Sequence, residues 1–325
     1  MASPDWLADP PTITVRPGEA ATLAAAAAAA DPGRNPSPQE LAEAAAVTVA
    51  ALPGELLRAL HRLATSPQAG GVLLVRGMPH AAHELEPTPL TTRPAALQAP
   101  TRACHIALLA ALTPLGEPFT FASLYGGRLV QHVLPVPGQE NAQTSEGSGS
   151  LLAAHVEDAF TDQRCDYFGL LCLRGHPRAA TVFARARDLR LPPDTEAVLR
   201  QPRFVVEPDV AHGAAGSPCE PGPVLTGPGN DPQICYDAVY QRAVPDDARA
   251  ADALTVLDQH LQQIARATVL EPGDLLVLDN RRVVHGRTPF TARYDGTDRW
   301  LLRAMVTADR RGHRAAGSPR TLHAA

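Results

Sequence analysis

In the stretch Leu275-Leu-Val-Leu-Asp-Asn-Arg-Arg-Val-Val-His285-Gly-Arg287-Thr288, a short apolar run ends in a polar turn and is followed by a histidine. The run is too short for a buried helix and reads as a buried strand. Far upstream, His155-Val156-Glu157 closes another extended segment. Residues two apart in an extended chain project to one side, so an imidazole and a carboxylate there can chelate one ion. With His285 as the third ligand, two histidines and a carboxylate leave three adjacent positions of an octahedral Fe(II) open, the facial arrangement of non-haem iron oxygenases. Beyond His285 lies Arg299, whose planar fork suits two-point contact with a carboxylate.

An isolated H-x-E pattern says little in a chain with 12 histidines and 34 acids. Read alone, His155 is a hydrogen-bonded histidine and Glu157 a surface acid. The ordered set carries the signal: H-x-E, a later histidine after an apolar strand, then an arginine.

With 325 residues, 45% of them apolar, the chain can bury a substantial core. A net charge of −5 gives no extended basic surface, so no nucleic acid or anionic membrane partner is expected. All 29 basic residues are arginine, which excludes a lysine Schiff base and a Walker-type phosphate loop. Five cysteines without a C-x-x-C pair suggest neither a disulfide framework nor a zinc knuckle, and fit a reducing cytoplasm. Asp5 and Asp9 stand where a secretory signal carries cations, and the run Ala24–Ala30 is too short to span a bilayer. That run reads as an alanine-rich helix or a flexible leader.

Ser37 and Glu40 around Pro38 form a capping box that predicts a helix start, interrupted at Pro53-Gly54. Leu56, Leu57, Leu60 and Leu63 predict a second helix, Val72 to Val75 a strand, and Ala103 to Leu112 a further helix. Short strand-like runs follow at 128–134, 167–173, 181–184, 203–206, 275–278 and 300–306. Many short strands with long connections point to a sandwich or barrel. One helix with Leu254, Leu257, Leu261 and Ile264 on a face is inserted among them. The expectation is a single domain over 1–325: a leader (1–36), a helical part (37–115), a β core (116–308) with lid-like loops at 137–150 and 207–232, and a loose tail (309–325).

At these residues the sequence resembles the clavaminate synthase-like branch of the Fe(II)/2-oxoglutarate dioxygenases, related to taurine dioxygenase and including the asparagine and arginine hydroxylases of peptide-antibiotic pathways. The likeness runs from about Val72 to Val306. It includes Gly126-Gly-Arg-Leu-Val-Gln131, Pro135-Val-Pro-Gly-Gln-Glu140, His155-Val-Glu157, Leu173-Arg-Gly175, Leu270-Glu-Pro-Gly-Asp274 and Asp279-Asn-Arg-Arg-Val-Val-His-Gly-Arg-Thr288. The resemblance implies a mainly β fold, a double-stranded β-helix (jelly roll) core with flanking α-helices. It also implies iron held by His155, Glu157 and His285, 2-oxoglutarate held by Arg299 with Thr181 beside it, and O2 as oxidant. The reaction so implied hydroxylates an unactivated C–H and releases succinate and CO2. Thr181 reads equally as an ordinary strand residue.

The same resemblance places Ser145, Glu157 and Arg303 where the amino-acid hydroxylases hold the α-groups of a free amino acid. Where the arginine hydroxylases carry paired acids, this chain has Asp237 and then Val239, and a single carboxylate grips a guanidinium poorly. The expected substrate is therefore an amino acid, or an intermediate derived from one, with a less basic or partly apolar side chain. Asp237 also reads as a loop acid and Ser145 as a loop serine. Desaturation or cyclisation by the same cofactors, a cupin-like metal protein without 2-oxoglutarate, and an inactive metabolite-binding barrel remain as alternatives. Arg299 separates the cupin from the oxygenase, since only the latter needs a fixed guanidinium there.

Overall fold

The chain begins with a short strand, β1 (Thr12–Thr14), and three helices, α1 (Pro17–Ala29), α2 (Pro38–Thr48) and α3 (Gly54–Thr65), before β2 (Val72–Arg76) and α4 (Ala99–Leu112). The computed structural model describes residues 10–81, 84–94, 97–208, 212, 220–309, 311–312 and 320–323. Helix α2 starts at the capping box: the Ser37 hydroxyl accepts from the Glu40 amide, and the Glu40 carboxylate accepts from the Ser37 amide. Helix α3 buries Leu56, Leu60 and Leu63 on one face.

Within the leader expected over 1–36, the described residues from 10 onward are structured, and the alanine run forms a helix. β1 pairs in parallel with β2, and the alanine-rich α1 buries Leu23 and Ala27 and packs on α4. Small side chains let two helices approach closely, so a segment weak in hydrophobicity can still be held by contact.

The remaining strands are β3 (Glu117–Phe121), β4 (Val130–Val133), β5 (Leu152–His155), β6 (Tyr167–Arg174) and β7 (Ala180–Arg185). After α5 (Pro193–Leu199) come β8 (Phe204–Val206), β9 (Leu225–Thr226), β10 (Gln233–Ile234) and β11 (Gln241–Ala243). After α6 (Ala248–Ile264) come β12 (Arg266–Val269), β13 (Leu275–Asp279), β14 (Val283–Arg287), β15 (Trp300–Thr307) and β16 (Thr321–Leu322). An eight-stranded sheet runs β1-β2-β13-β6-β15-β3-β16, with β4 also on β15, and a four-stranded sheet runs β12-β7-β14-β5. The architecture is mainly β with helices outside.

Strand alternation sorts the apolar residues into three cores. On β15, Trp300, Leu302, Ala304 and Val306 pack with the N-terminal helices, while Leu301 and Met305 join the opposite face. On β6, β13 and β2 the split repeats: Leu171, Val277 and Val75 go to the helices, Phe168, Leu276 and Leu74 to the other side. That inner cluster also takes Phe183 from β7 and Val283 from β14, so the two sheets face each other. A third cluster, behind the smaller sheet, is closed by Leu257 and Leu261 of α6.

Several strands escape a sequence reading. β3 contains Pro118, β12 is a short edge strand after a helix, and β14 carries His285 and Arg287 among its valines. The tail is not loose throughout: β16 pairs in parallel with β3 and Leu322 is fully buried. The 137–150 loop is tied down at both ends, with the Ser148 and Gly149 amides donating to Glu140 and Gln143 donating to Leu151. Much of 207–232 lies outside the described residues, as does Cys219; Cys104, Cys165, Cys172 and Cys235 are free thiols. Among the described residues no helix is long and apolar enough to cross a membrane.

His132 of β4 is an interior histidine. It is fully buried beside His105, and its Nδ1 accepts from the Trp300 indole N–H at 2.9 Å. Burial, with Arg128 nearby, pushes its pKa down to about 3 from 6.5. The unfolded chain therefore takes up a proton near pH 6.5 that the folded chain refuses until about pH 3, and stability falls as pH drops through that window by about 1.4 kcal/mol per pH unit for such a group. The variant His132→Gln keeps an acceptor for Trp300 but cannot titrate. Urea melts between about pH 6.5 and 4.5 are expected to show its stability declining less steeply than wild type by about that share; equal slopes would rule out a buried neutral His132.

Candidate active site

His155 and His285 meet because they are direct partners in the β5–β14 ladder, with ring centroids 4.3 Å apart. The register shifts just past this pair, where Gly286 lies against β5: a Cβ there would sit 2.4 Å from the Leu152 carbonyl oxygen. Only glycine permits that approach. The Nδ1–H of His155 donates to the Ala153 carbonyl at 2.8 Å, which leaves Nε2 as the nitrogen able to bind a metal.

Glu157 arrives from the turn after β5. Its backbone is clamped by Asn280, whose side-chain oxygen accepts from the Glu157 amide at 2.8 Å and whose NH2 donates to the Glu157 carbonyl at 3.0 Å and to Cys165 at 3.1 Å. Donor atoms of His155, Glu157 and His285 all lie within 4.8 Å of one another, and His285 Nε2 is 3.3 Å from the Glu157 carboxylate. Burial, and then His155, push His285 down to about 4, so its imidazole is neutral and its lone pair available.

The chain does not stay extended past Glu157. Asp158 adopts a left-handed φ of 54° and is buried against His212, 2.8 Å away, whose other ring nitrogen meets Ser123.

Arg303, expected at the substrate's α-groups, has its anionic partner in the protein. Its Nη1 donates to both Glu157 oxygens at 2.7 Å and its Nε to Gln131 at 2.8 Å. Burial raises the Glu157 pKa, but Arg303 and then His285 and His155 outweigh it and hold the carboxyl well below the usual range. The carboxylate is thus ionised before any metal arrives.

Arg299 is 5% exposed, lines the same cavity, and pairs with no acid among the described residues. Burial and the neighbouring Arg287 push it down to about 10, which still leaves a cation at neutral pH. Arg287, on β14 of the facing sheet, donates to the carbonyls of Ser148 and Ser150 and stacks 5.0 Å from the Phe290 ring centre. Thr181 sits opposite Arg287 in the β7–β14 ladder, and its buried hydroxyl has no partner among the described residues. A lone buried guanidinium and an orphaned hydroxyl lining one cavity are costly without a ligand.

Ser145 and Asp237 also line this cavity of about 80 Å³. Ser145 hydrogen-bonds the Tyr125 hydroxyl. One Asp237 oxygen accepts from the amides of Val239 and Tyr240 at 2.7 and 2.8 Å. Asn280, Gln131 and Tyr125 have no role in the sequence reading; each works through hydrogen bonds or packing between segments distant along the chain.

Two imidazoles and a carboxylate converging beside an unpaired guanidinium define the class of non-haem iron oxygenases that use a carboxylate cosubstrate. Comparison with known proteins agrees. The family described as taurine catabolism dioxygenase TauD, TfdA matches residues 224–305. The chain is 38% identical over 284 residues to L-asparagine oxygenase of Streptomyces coelicolor, covering 86% of this chain and 84% of that protein. The structure of asparagine oxygenase with Fe(II), 2S,3S-3-hydroxyasparagine and succinate superposes with a TM-score of 0.88 at 36% identity, over 97% of this chain and 99% of that one. The non-heme iron oxygenase OrfP, in complex with Fe, succinate and (3S)-hydroxy-L-Arg, gives 0.87 at 32% identity, over 96% and 99%. The chain belongs to the TauD/TfdA dioxygenase family.

Asn280→Ala removes the clamp on the Glu157 backbone without touching a ligand atom. Iron titration of the folded variant is expected to show affinity lower by about 10- to 100-fold; unchanged affinity would mean that the turn holds itself.

Proposed function

We propose that this protein is an Fe(II)- and 2-oxoglutarate-dependent hydroxylase of a free amino acid or an amino-acid-derived intermediate, working in natural-product biosynthesis. The observation that carries the reading is the buried Arg299 without an acid partner among the described residues, lining the same cavity as a three-ligand metal site. The residues fit the group: His155, Glu157 and His285 would hold Fe(II), and Arg299 with Thr181 would hold the distal carboxylate of 2-oxoglutarate. Bound iron with 2-oxoglutarate and O2 supplies the oxidising power for C–H hydroxylation, with succinate and CO2 as coproducts. The two facing sheets are read as a double-stranded β-helix within one dioxygenase domain.

The chain's own contribution is placement. The Ala153 carbonyl fixes the His155 tautomer, and Arg303 keeps Glu157 ionised and aimed. Leu124, Val133, Leu152 and Leu170 give the cavity apolar walls that keep water from the reacting carbon. Ser145 and Arg303 line the space where the amino acid's α-groups would sit. Asp237 stands alone beside Val239, and one of its oxygens is already engaged by two amides. That supports a neutral or small side chain over a guanidinium.

Three measurements test this. Anaerobic addition of Fe(II) and 2-oxoglutarate is expected to give the weak visible absorption of a chelated keto acid, abolished in His155→Ala; no band at saturating iron would remove the oxygenase reading. Arg299→Ala is expected to raise the 2-oxoglutarate requirement by tenfold or more, the loss of a charged two-point contact costing at least about 1.5 kcal/mol. In a panel of free amino acids followed by succinate release, asparagine and other neutral side chains are expected to stimulate turnover above arginine. The opposite ranking would overturn the role given to Asp237.

A further inference from the structure

On the far side of the turn that carries Tyr125, a second cavity of about 400 Å³ opens between the α1–α2 connection, α4 and residues 126–130. It holds no part of the metal site. Its polar lining is Arg34, Arg102, Arg128, Asp31, Asn35 and His105. Asp31 is the single acid there and is engaged by Arg102, with its Oδ2 2.7 Å from Nη2 and 2.9 Å from Nε. Arg128 reaches a carbonyl, that of Pro94, at 3.3 Å; no acid pairs with Arg34 or Arg128 among the described residues. The cavity therefore has an uncompensated excess of positive charge.

A second observation is independent of that count. His105, only 8% exposed, lines the cavity, and its Nε2 is buried with no hydrogen-bond partner among the described residues. Burial, His132, Arg128 and Arg102 all disfavour its charged form. A buried polar nitrogen without a partner costs about 1–3 kcal/mol, and surrounding cations make a second cation the wrong partner. An oxyanion suits this lining, since it accepts from the guanidinium N–H groups of Arg34 and Arg128 and supplies the missing negative charge.

We propose that this cavity is a second ligand site, taking a small multiply charged anion whose carboxylate or phosphate oxygens bind Arg128 and Arg34, with His105 in the wall behind them. Residues 125–127 have φ values of 47°, 73° and 73°, a left-handed run in which two of the three residues are glycines. Leu124 and Tyr125 at its start line the catalytic cavity, and Gly126, Gly127 and Arg128 line this one. The two cavities share a single turn.

The test is calorimetric titration of the full-length protein with inorganic phosphate and, separately, with tricarballylate, at constant ionic strength made up with NaCl. Saturable binding of either probe is expected, and which of them binds identifies phosphate or carboxylate as the recognised group. Arg128→Gln and the exposed-site variant Arg34→Glu are each expected to weaken binding by tenfold or more, while Arg299→Ala leaves it unchanged. The charge reversal at Arg34 keeps the test decisive should Arg128→Gln fail to fold. No heat beyond the chloride control with both probes, binding indifferent to Arg34→Glu, or binding lost in Arg299→Ala would each overturn the proposal, the last by placing the anion in the catalytic cavity.

Discussion

The pairing of β14 against β5 is the constraint from which the rest of the site follows. His285 and His155 face each other because the ladder sets them in register, and the backbones come close enough only because Gly286 has no side chain. Neither histidine is brought in by a flexible loop. The third donor does come from a turn, and there a single asparagine makes two opposed hydrogen bonds to hold it. A metal site with two ligands on strands and one on a clamped turn is rigid before the ion binds, which lowers the ordering cost at binding.

The second constraint is charge in a dry interior. Arg303, Arg299 and Arg287 are all at least nine-tenths buried, yet they are treated differently. Arg303 is neutralised by Glu157, Arg287 is satisfied by carbonyl oxygens, and Arg299 has no counter-charge. Buried charges are tolerated when paired and conspicuous when not. The uneven treatment marks where a ligand's negative charge belongs, and it does so without reference to any relative.

Much of this was legible in the sequence. The capping box at Ser37, the leucine face of α3 and the apolar runs of β2, β6, β13 and β15 follow from periodicity and appear where expected. The three metal-site residues and Arg299 could be chosen because strand spacing and donor chemistry restrict the options. The rest depended on long-range contact. Nothing near Arg303 in the chain indicates that its partner is Glu157, nothing in Asn280 announces a clamp across more than a hundred residues, and the pairing of β1 and β16 at the sheet margins comes from neighbours, with no signal in their few residues. The left-handed turn at Asp158 likewise has no local signature, since its reason is His212 on a separate segment.

One strand holds two of the buried guanidiniums. Arg299, Leu301, Arg303 and Met305 share the inner phase of β15 and its lead-in residue, while Trp300, Leu302 and Ala304 hold the outer phase under the helices. Strand phase is binary, so losing or gaining one residue between 299 and 303 would drive an arginine into the helical core and turn an apolar side chain toward the iron site. This part of the gene can therefore drift by replacement but not by change of length.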